Sequence, residues 1–133
     1  MHKKVIIASG PVIIKNRKVL LDISGDDAFW KFCGGKVEEN ETLQETAIRR
    51  TKEELGIQIS LQDENPFLMY VAKEKDKIKN DVILVHWLAD FTGEISPDED
   101  VQKWNWLSIN NLDKETLAPN IIPALKHFGF IKE

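Results

Sequence analysis

The stretch GGKVEENE at residues 34–41, with the residues that follow it as far as Gly56, is the part of this sequence that decides the fold. The glycine pair predicts a turn in which the backbone can approach other groups closely. Residues 42–55 then repeat apolar side chains at helical spacing, and Gly56 stands where a glycine commonly ends a helix. The stretch therefore predicts a glycine turn that leads into an amphipathic helix over 42–55.

Charged residues line one ridge of this predicted helix. Those spaced four apart along it are Glu41, Glu45, Arg49 and Glu53. Because residues at this spacing share a helix face, Arg49 is expected to bridge Glu45 and Glu53. Glu54 follows about 100° further round the helix, and two adjacent carboxylates near a glycine turn suit a hard divalent cation such as Mg²⁺. The alternative is an ordinary solvated helix face with salt bridges.

The full spacing resembles the signature of the Nudix hydrolase family, G-x5-E-x7-R-E-U-x-E-E-x-G-U, in which U is an apolar residue. The positions that match in register are Gly35, Glu41, Arg49, Glu53, Glu54, Gly56 and Ile57. The flanking residues 30–38, WKFCGGKVE, also resemble the family's W-x-F-P-G-G-x-V-E, and a pattern this long at fixed offsets is specific. The resemblance implies an α/β/α sandwich with a mixed β-sheet. It also implies metal-dependent hydrolysis of a nucleoside diphosphate linked to another moiety.

The same resemblance implies roles for individual residues. Glu53 and Glu54 are expected to bind Mg²⁺ or Mn²⁺, with one of them also acting as a base, and the Gly34 carbonyl is expected to assist. Arg49 is expected to orient Glu53. Asp100, on a loop before a strand rich in tryptophan, is expected to complete the metal shell or to act as a base on water. The alternative for Asp100 is a solvated acidic loop.

Three further residues are candidates for substrate binding. Asn120 resembles an asparagine with which MutT-like members of the family read a purine edge, which suits an amide that both donates and accepts hydrogen bonds. The favoured alternative is that Asn120 caps the last helix. Trp30 and Phe32 are candidates for stacking on a base, although aromatic residues on a strand more often belong to the core.

Arg50 departs from the family pattern, because it stands where the family has a glutamate that usually binds the metal. This substitution keeps a second hypothesis open, namely a Nudix-fold module that binds a nucleotide or a protein with weakened catalysis. Helical spacing predicts that Arg50 pairs with Glu53 or Glu54 when metal is absent. The alternative is an outward-pointing surface arginine. Cys33 replaces a proline of the family pattern and is expected to be a small buried residue without chemistry.

Composition limits the classes of function. With 133 residues and 42% hydrophobic content, the chain is expected to form one domain over 1–133. The net charge of −4 is spread along the chain, which argues against binding of a nucleic-acid duplex and favours a cation as mediator for an anionic, nucleotide-type small molecule. The single cysteine and the lack of a long apolar run indicate a cytoplasmic protein without a membrane segment. A monomer and a homodimer are both compatible with the sequence.

The rest of the chain predicts mostly strands. They are expected at 5–8, 12–14, 19–21, 29–33, 57–61, 67–72, 81–91 and 101–107, with a closing helix at 119–128. Gly10 and Pro11 are expected to break the first two strands apart, and the charged segment 73–80 to connect two others. Strands, a helix, more strands and a final helix predict a mixed sheet between helices.

Overall fold

The computed structural model describes residues 3–62 and 64–132. In chain order its elements are β1 (Val5–Lys15), β2 (Lys18–Ser24), β3 (Gly35–Lys36), α1 (Leu43–Leu55), β4 (Gln58–Leu61), β5 (Phe67–Lys75), β6 (Ile78–Thr92), β7 (Val101–Ser108), a 3-10 helix (Ile109–Lys114) and α2 (Ile121–His127). None of the helices in this described part of the chain has the length and apolar character that crossing a membrane requires.

The strands form one mixed sheet around a parallel pair. β1 runs parallel to β6, from Val5 opposite Asp81 to Ile13 opposite Ala89. The other edge of β6 pairs antiparallel with β5 and then with β4, and β1 pairs on its other edge with β3 and then with β2. β7 extends the sheet beyond β2. The predicted mixed sheet is confirmed.

The two helices cover opposite faces of this sheet, because side chains along a strand alternate between its faces. The core cluster on the α1 face includes Ile13, Leu20, Ala47, Leu55 and Val85. The cluster on the α2 face includes Val12, Val19, Leu21, Ala124 and Leu125. Neighbours such as Ile13 and Val12 thus enter different cores, and the result is the α/β/α sandwich that the resemblance implied.

α1 begins and ends at the residues that its sequence signals indicate. Thr42 and Glu45 form a capping box, in which the Glu45 N–H donates to Thr42 Oγ1 at 3.1 Å and the Thr42 N–H donates to Glu45 Oε1 at 2.9 Å. Gly56 has a φ of 72° and closes the helix in the left-handed conformation. Only the first predicted residue differs, since Thr42 is the cap rather than part of the helix.

The predicted break at Gly10 and Pro11 is wrong, because β1 continues through both residues. On its β2 and β3 edge, β1 pairs with β3 at Ala8 and Ser9 and with β2 only from Ile14. Pro11, which has no N–H to donate, lies in the gap between these two pairings. A side chain at Gly10 would overlap the Cys33 carbonyl oxygen, so glycine at this position lets the backbones of β1 and of Cys33 pack closely.

Two other predicted segments differ from the structure. Residues 29–33 make only isolated bridges, from Trp30 to Leu117 and from Lys31 to Asp22, and Gly35 of the glycine pair that follows begins β3. The charged segment 73–80 belongs largely to β5 and β6, which meet at a tight turn where Asp76 and Lys77 both have positive φ. Charge along a segment does not prevent pairing when the segment lies at an exposed end of a hairpin.

Candidate active site

The C-terminal half of α1 lies against the glycine turn. The side chain of Glu54 is only 7% exposed, and its Oε1 accepts the Gly34 N–H at 3.2 Å and lies 3.5 Å from Cys33 Sγ. Gly34 has a φ of 137°, and a Cβ there would overlap the Ser9 carbonyl oxygen. Only glycine fits this turn, and Glu54 holds the turn against the end of the helix.

Arg49 orients the neighbouring carboxylate Glu53. Its Nη1 donates to Glu53 Oε1 at 3.0 Å, and its Nε donates to Glu41 Oε2 at 2.6 Å. The hydrogen bond from Arg49 lowers the pKa of Glu41 to about 2. The predicted bridge from Arg49 to Glu53 is confirmed, whereas the one to Glu45 is wrong because Glu45 is engaged in the helix cap.

Arg50 lies between the two adjacent glutamates. Its Nη1 is 2.8 Å from Glu53 Oε1, and its Nη2 is 3.5 Å from Glu54 Oε1. The stem of Arg50 packs on Gly35, where a Cβ would overlap the Arg50 Nε. The prediction that Arg50 pairs with Glu53 or Glu54 is confirmed, and the guanidinium lies where a cation shared by both carboxylates would be attracted.

Asp22 lies beside Glu54 and Cys33, although the sequence did not predict it there. It is 1% exposed, and a carboxylate oxygen of Asp22, the Cys33 sulfur and a carboxylate oxygen of Glu54 all lie within 4.8 Å of one another. Neither oxygen of Asp22 receives a hydrogen bond of normal geometry from a residue that the structure describes. Asp22 follows Leu20 by two residues on β2 and therefore points to the α1 face. Strand alternation was the signal that could have found it.

Burial and mutual repulsion govern the protonation of this group. The pKa of Asp22 is raised to about 7, chiefly by burial and then by the charge of Glu54, against the opposing effects of Lys31 and Ser24. Burial also raises the pKa of Glu54, against the opposing charge of Arg50. The pKa of the Cys33 thiol is raised by burial and by both carboxylates. Without a bound cation, Asp22, Cys33 and Glu54 therefore hold their protons more tightly than the same side chains do in water.

The loop that carries Asp100 is attached to the end of α1. The Asp98 N–H donates to the Glu54 carbonyl at 2.8 Å, and the Asp100 carbonyl accepts the Gly25 N–H at 3.0 Å. The Asp100 side chain is exposed, and its charge makes the smallest contribution to the raised pKa of Asp22. The loop thus lies at the edge of the site, and a direct role of Asp100 at a metal or a water stays a prediction.

The three residues predicted to bind substrate have different environments. Trp30 is half-buried, whereas Phe32 is 5% exposed and its ring centroid lies 4.8 Å from that of His86. Asn120 stands at the cap position of α2, but its side chain makes no capping hydrogen bond and its Nδ2 lies 3.4 Å from His86 Nδ1. The predicted capping interaction is therefore wrong. Contacts of Phe32 and Asn120 with a base stay predictions that require this buried region to open.

Comparison with known sequences agrees with this geometry. The model of the NUDIX domain family matches residues 6–128. A CTP pyrophosphohydrolase from Escherichia coli is 31% identical over 126 residues, which cover 93% of this chain and 86% of that protein. An asymmetrical bis(5'-nucleosyl)-tetraphosphatase from Mus musculus is 33% identical over 98 residues, covering 68% of this chain and 63% of that protein.

Solved structures show the same fold. The solution structure of the E. coli ORF135 protein superimposes with a TM-score of 0.73 at 29% identity, covering 95% of this chain and 89% of that one. A C. elegans Ap4A hydrolase in a binary complex gives a TM-score of 0.77 at 21% identity, covering 92% and 94% of the two chains. With the family match over residues 6–128, these findings show that the chain belongs to the Nudix hydrolase family, as a MutT-like member.

Proposed function

We propose that this Nudix hydrolase cleaves the diphosphate of a nucleoside diphosphate linked to another moiety, with Mg²⁺ or Mn²⁺ at Glu53, Glu54 and the Gly34 carbonyl. The observation that carries the proposal is the position of Glu54, which is bonded to the Gly34 N–H beside a Glu53 that Arg49 holds in place. Arg49 and its partner Glu41 fix one side of this arrangement, and the glycine turn fixes the other.

The residues present fit such a cation. The donor set consists of carboxylate and carbonyl oxygens, which Mg²⁺ prefers, and Asp22 adds a buried carboxylate without a hydrogen-bond partner among the described residues. The guanidinium of Arg50 already occupies a position of negative potential between Glu53 and Glu54. A bound divalent cation supplies charge compensation for the diphosphate and lowers the pKa of a coordinated water.

The chain's own residues then position the reaction. The side chain of Glu53 is 49% exposed and accessible to water, whereas Oε1 of Glu54 is already occupied by the Gly34 N–H. We therefore assign to Glu53 the removal of a proton from the attacking water, with Arg49 holding the carboxylate in one orientation. Glu54 connects the helix to the turn that approaches the diphosphate. Of the three candidates for substrate binding, Trp30 is half-buried, whereas Phe32 and Asn120 are buried. Trp30 is therefore the candidate that a substrate can reach.

A nucleotide panel tests this function. Wild type is incubated with Mg²⁺ or Mn²⁺ and nucleoside triphosphates, damaged nucleotides, ADP-ribose and other sugar nucleotides, and release of phosphate or pyrophosphate is measured. CTP belongs in the panel because one relative is a CTP pyrophosphohydrolase. We expect turnover of at least one compound by wild type and by Glu39→Gln, an exposed carboxylate of the same turn. The double variant Glu53→Gln/Glu54→Gln should have none, and equal rates in this variant would contradict the site.

Arg50 supports a second candidate function, a module that binds a nucleotide or a protein with little turnover. The supporting observation is that its guanidinium bridges both predicted metal ligands. Isothermal titration calorimetry with the same nucleotides distinguishes the two functions. Tight binding without product release, in the presence of saturating Mn²⁺, would favour the binding module and exclude efficient hydrolysis.

A further inference from the structure

The cluster of Asp22, Cys33 and Glu54 has a different chemistry from the exposed pair Glu53 and Arg50. It combines two carboxylates with a thiol, and its members are 1%, 4% and 5% exposed. They come from β2, from the segment before the glycine turn and from α1, so only the tertiary fold brings them together. The cluster lies on the α1 face of the sheet, underneath the network of Arg49 and Arg50.

Asp22 is the feature that requires explanation. Burying a carboxylate without partners is costly, and neither of its oxygens has a hydrogen-bond partner among the described residues. The nearby cations are committed elsewhere, since Lys31 Nζ contacts Asp27 at 2.9 Å and Arg50 contacts Glu53 at 2.8 Å. Asp22 is thus a buried carboxylate whose oxygens lack hydrogen-bond partners among the described residues, and it lies close to a thiol and a second carboxylate. These are the properties expected of a metal ligand.

We propose that Asp22, Cys33 and Glu54 form a buried site for a thiophilic divalent metal of the Zn²⁺ and Co²⁺ class. The separation of Cys33 Sγ and Glu54 Oε1 is 3.5 Å. Zinc–sulfur and zinc–oxygen bonds of about 2.3 Å and about 2.1 Å place two tetrahedral ligands roughly 3.6 Å apart. The third ligand atom, within 4.8 Å of both, needs only a small side-chain adjustment to complete three protein ligands around one ion.

The sulfur ligand sets the metal class. Mg²⁺ takes oxygen ligands almost exclusively, whereas thiolates select zinc and related transition metals. Binding forms a metal–sulfur bond and releases the thiol proton to solvent, together with any proton held by the two carboxyls. The divalent ion then compensates most of the charge of the three anionic ligands, and the nearby charges of Arg50 and Lys31 oppose the burial that raises the pKa of Glu54. Cys33, which the sequence predicts to be a small buried residue without chemistry, would then be a metal ligand.

This inference extends the metal site of the proposed function, because Glu54 and Asp22 are assigned to both, but it does not depend on hydrolysis. An ion in the buried cluster would bind Glu54 from the sheet side. Glu53, on the outer side of α1, remains free to face a diphosphate. Binding can be measured on the protein alone, so a failure of hydrolysis and a failure of this site give different results.

Co²⁺ is the probe, because a cobalt–thiolate bond absorbs in the near ultraviolet and Cys33 is the only cysteine of the chain. Titration of the full chain should produce this band in wild type, and Cys33→Ala should lack it. Asp22→Asn should weaken Co²⁺ affinity by about tenfold or more, since even groups that only orient a ligand contribute that much. Asp26→Asn, an exposed carboxylate on the loop after β2, is the matched control and should retain the wild-type affinity.

Circular dichroism checks that each variant is folded. If Cys33→Ala does not fold, wild type alone still decides, because Zn²⁺ should displace the cobalt band whereas an excess of Mg²⁺ should leave it intact. Absence of the band in wild type at saturating Co²⁺, or an unchanged affinity in folded Asp22→Asn, would overturn the proposal. A band in a protein that hydrolyses none of the nucleotides would support this site and contradict the proposed function.

Discussion

Glu53 and Glu54 are neighbours in the sequence but have opposite environments. Glu53 is half-exposed between two arginines, and hydrogen bonds from Arg50 and Arg49 lower its pKa. Glu54 is buried against the glycine turn, and burial raises its pKa although Arg50 is nearby. One step along a helix turns a side chain by about 100°, which here takes it from solvent into the core. The two carboxylates therefore contribute differently to stability even though both are predicted to bind metal.

The largest expected effect is on catalysis by the single variants Glu53→Gln and Glu54→Gln. Each removes one predicted metal ligand, so kcat/KM should fall by about 100-fold or more in both. Stability should separate them: Glu53→Gln loses favourable ion pairs, whereas Glu54→Gln removes a desolvated charge and should be neutral or stabilising near neutral pH without metal. Steady-state kinetics and urea unfolding measure the two effects. Equal destabilisation by both substitutions would remove the contrast between the exposed and the buried carboxylate.

The pH dependence of stability sharpens the comparison through Asp22. Its folded-state pKa of about 7 lies above the ordinary value of 3.8, so the metal-free folded protein binds the proton more tightly than the unfolded chain. Stability from this group is fully present at low pH and is lost as the pH rises through about 7. The loss should be about 2 kcal/mol between roughly pH 5 and roughly pH 7.

Urea unfolding with a chelator present, in wild type and Asp22→Asn, checks this prediction. The variant should lose most of this pH dependence, while Asp26→Asn, whose carboxylate is exposed, should follow wild type. A pH dependence that is unchanged in Asp22→Asn would show that the buried carboxyl group does not titrate in this range.

Replacing Arg50 tests whether its guanidinium competes with a cation for Glu53 and Glu54. Arg50→Glu removes the internal positive charge and adds a carboxylate, so Mn²⁺ affinity and the rate of hydrolysis should both rise by about tenfold. Mn²⁺ titration and kinetics on a substrate that wild type hydrolyses provide the measurement. If neither quantity changes, Arg50 lies outside the functional site despite its ion pairs.

The smallest expected effect comes from the capping residue at the start of α1 rather than from the charged face of the helix. Thr42→Ala removes the hydrogen bond to the Glu45 N–H and should lower the free energy of unfolding by about 1 kcal/mol. The predicted metal ligands Glu53 and Glu54 lie at the other end of the helix, so kcat/KM below the unfolding temperature should remain near the wild-type value. A large loss of activity in a folded Thr42→Ala protein would mean that the cap also positions the glutamates.

Local and periodic features were determined by the sequence itself. The capping residue Thr42, the terminal Gly56 and the contacts of Arg50 all depend on neighbours within one or two turns of α1, and helical geometry makes such neighbours calculable. The glycine turn was also predictable from the sequence, because only glycine adopts the conformation of Gly34 without strain. The order of strands and helices was likewise sufficient to predict a mixed sheet between helices, and the resemblance to the family implied the sandwich.

Tertiary structure alone decided which distant residues meet. Asp22 on β2 reaches Cys33 and Glu54 only because the sheet and α1 pack face to face. The same long-range packing buries Phe32 beside His86. Strand pairing and layer packing are set by the summed burial and hydrogen bonding of many residues far apart in the chain, and no local pattern encodes that sum. For this reason the sequence predicted the glutamates of α1 and the burial of Cys33, but not that Asp22 meets Cys33 and Glu54.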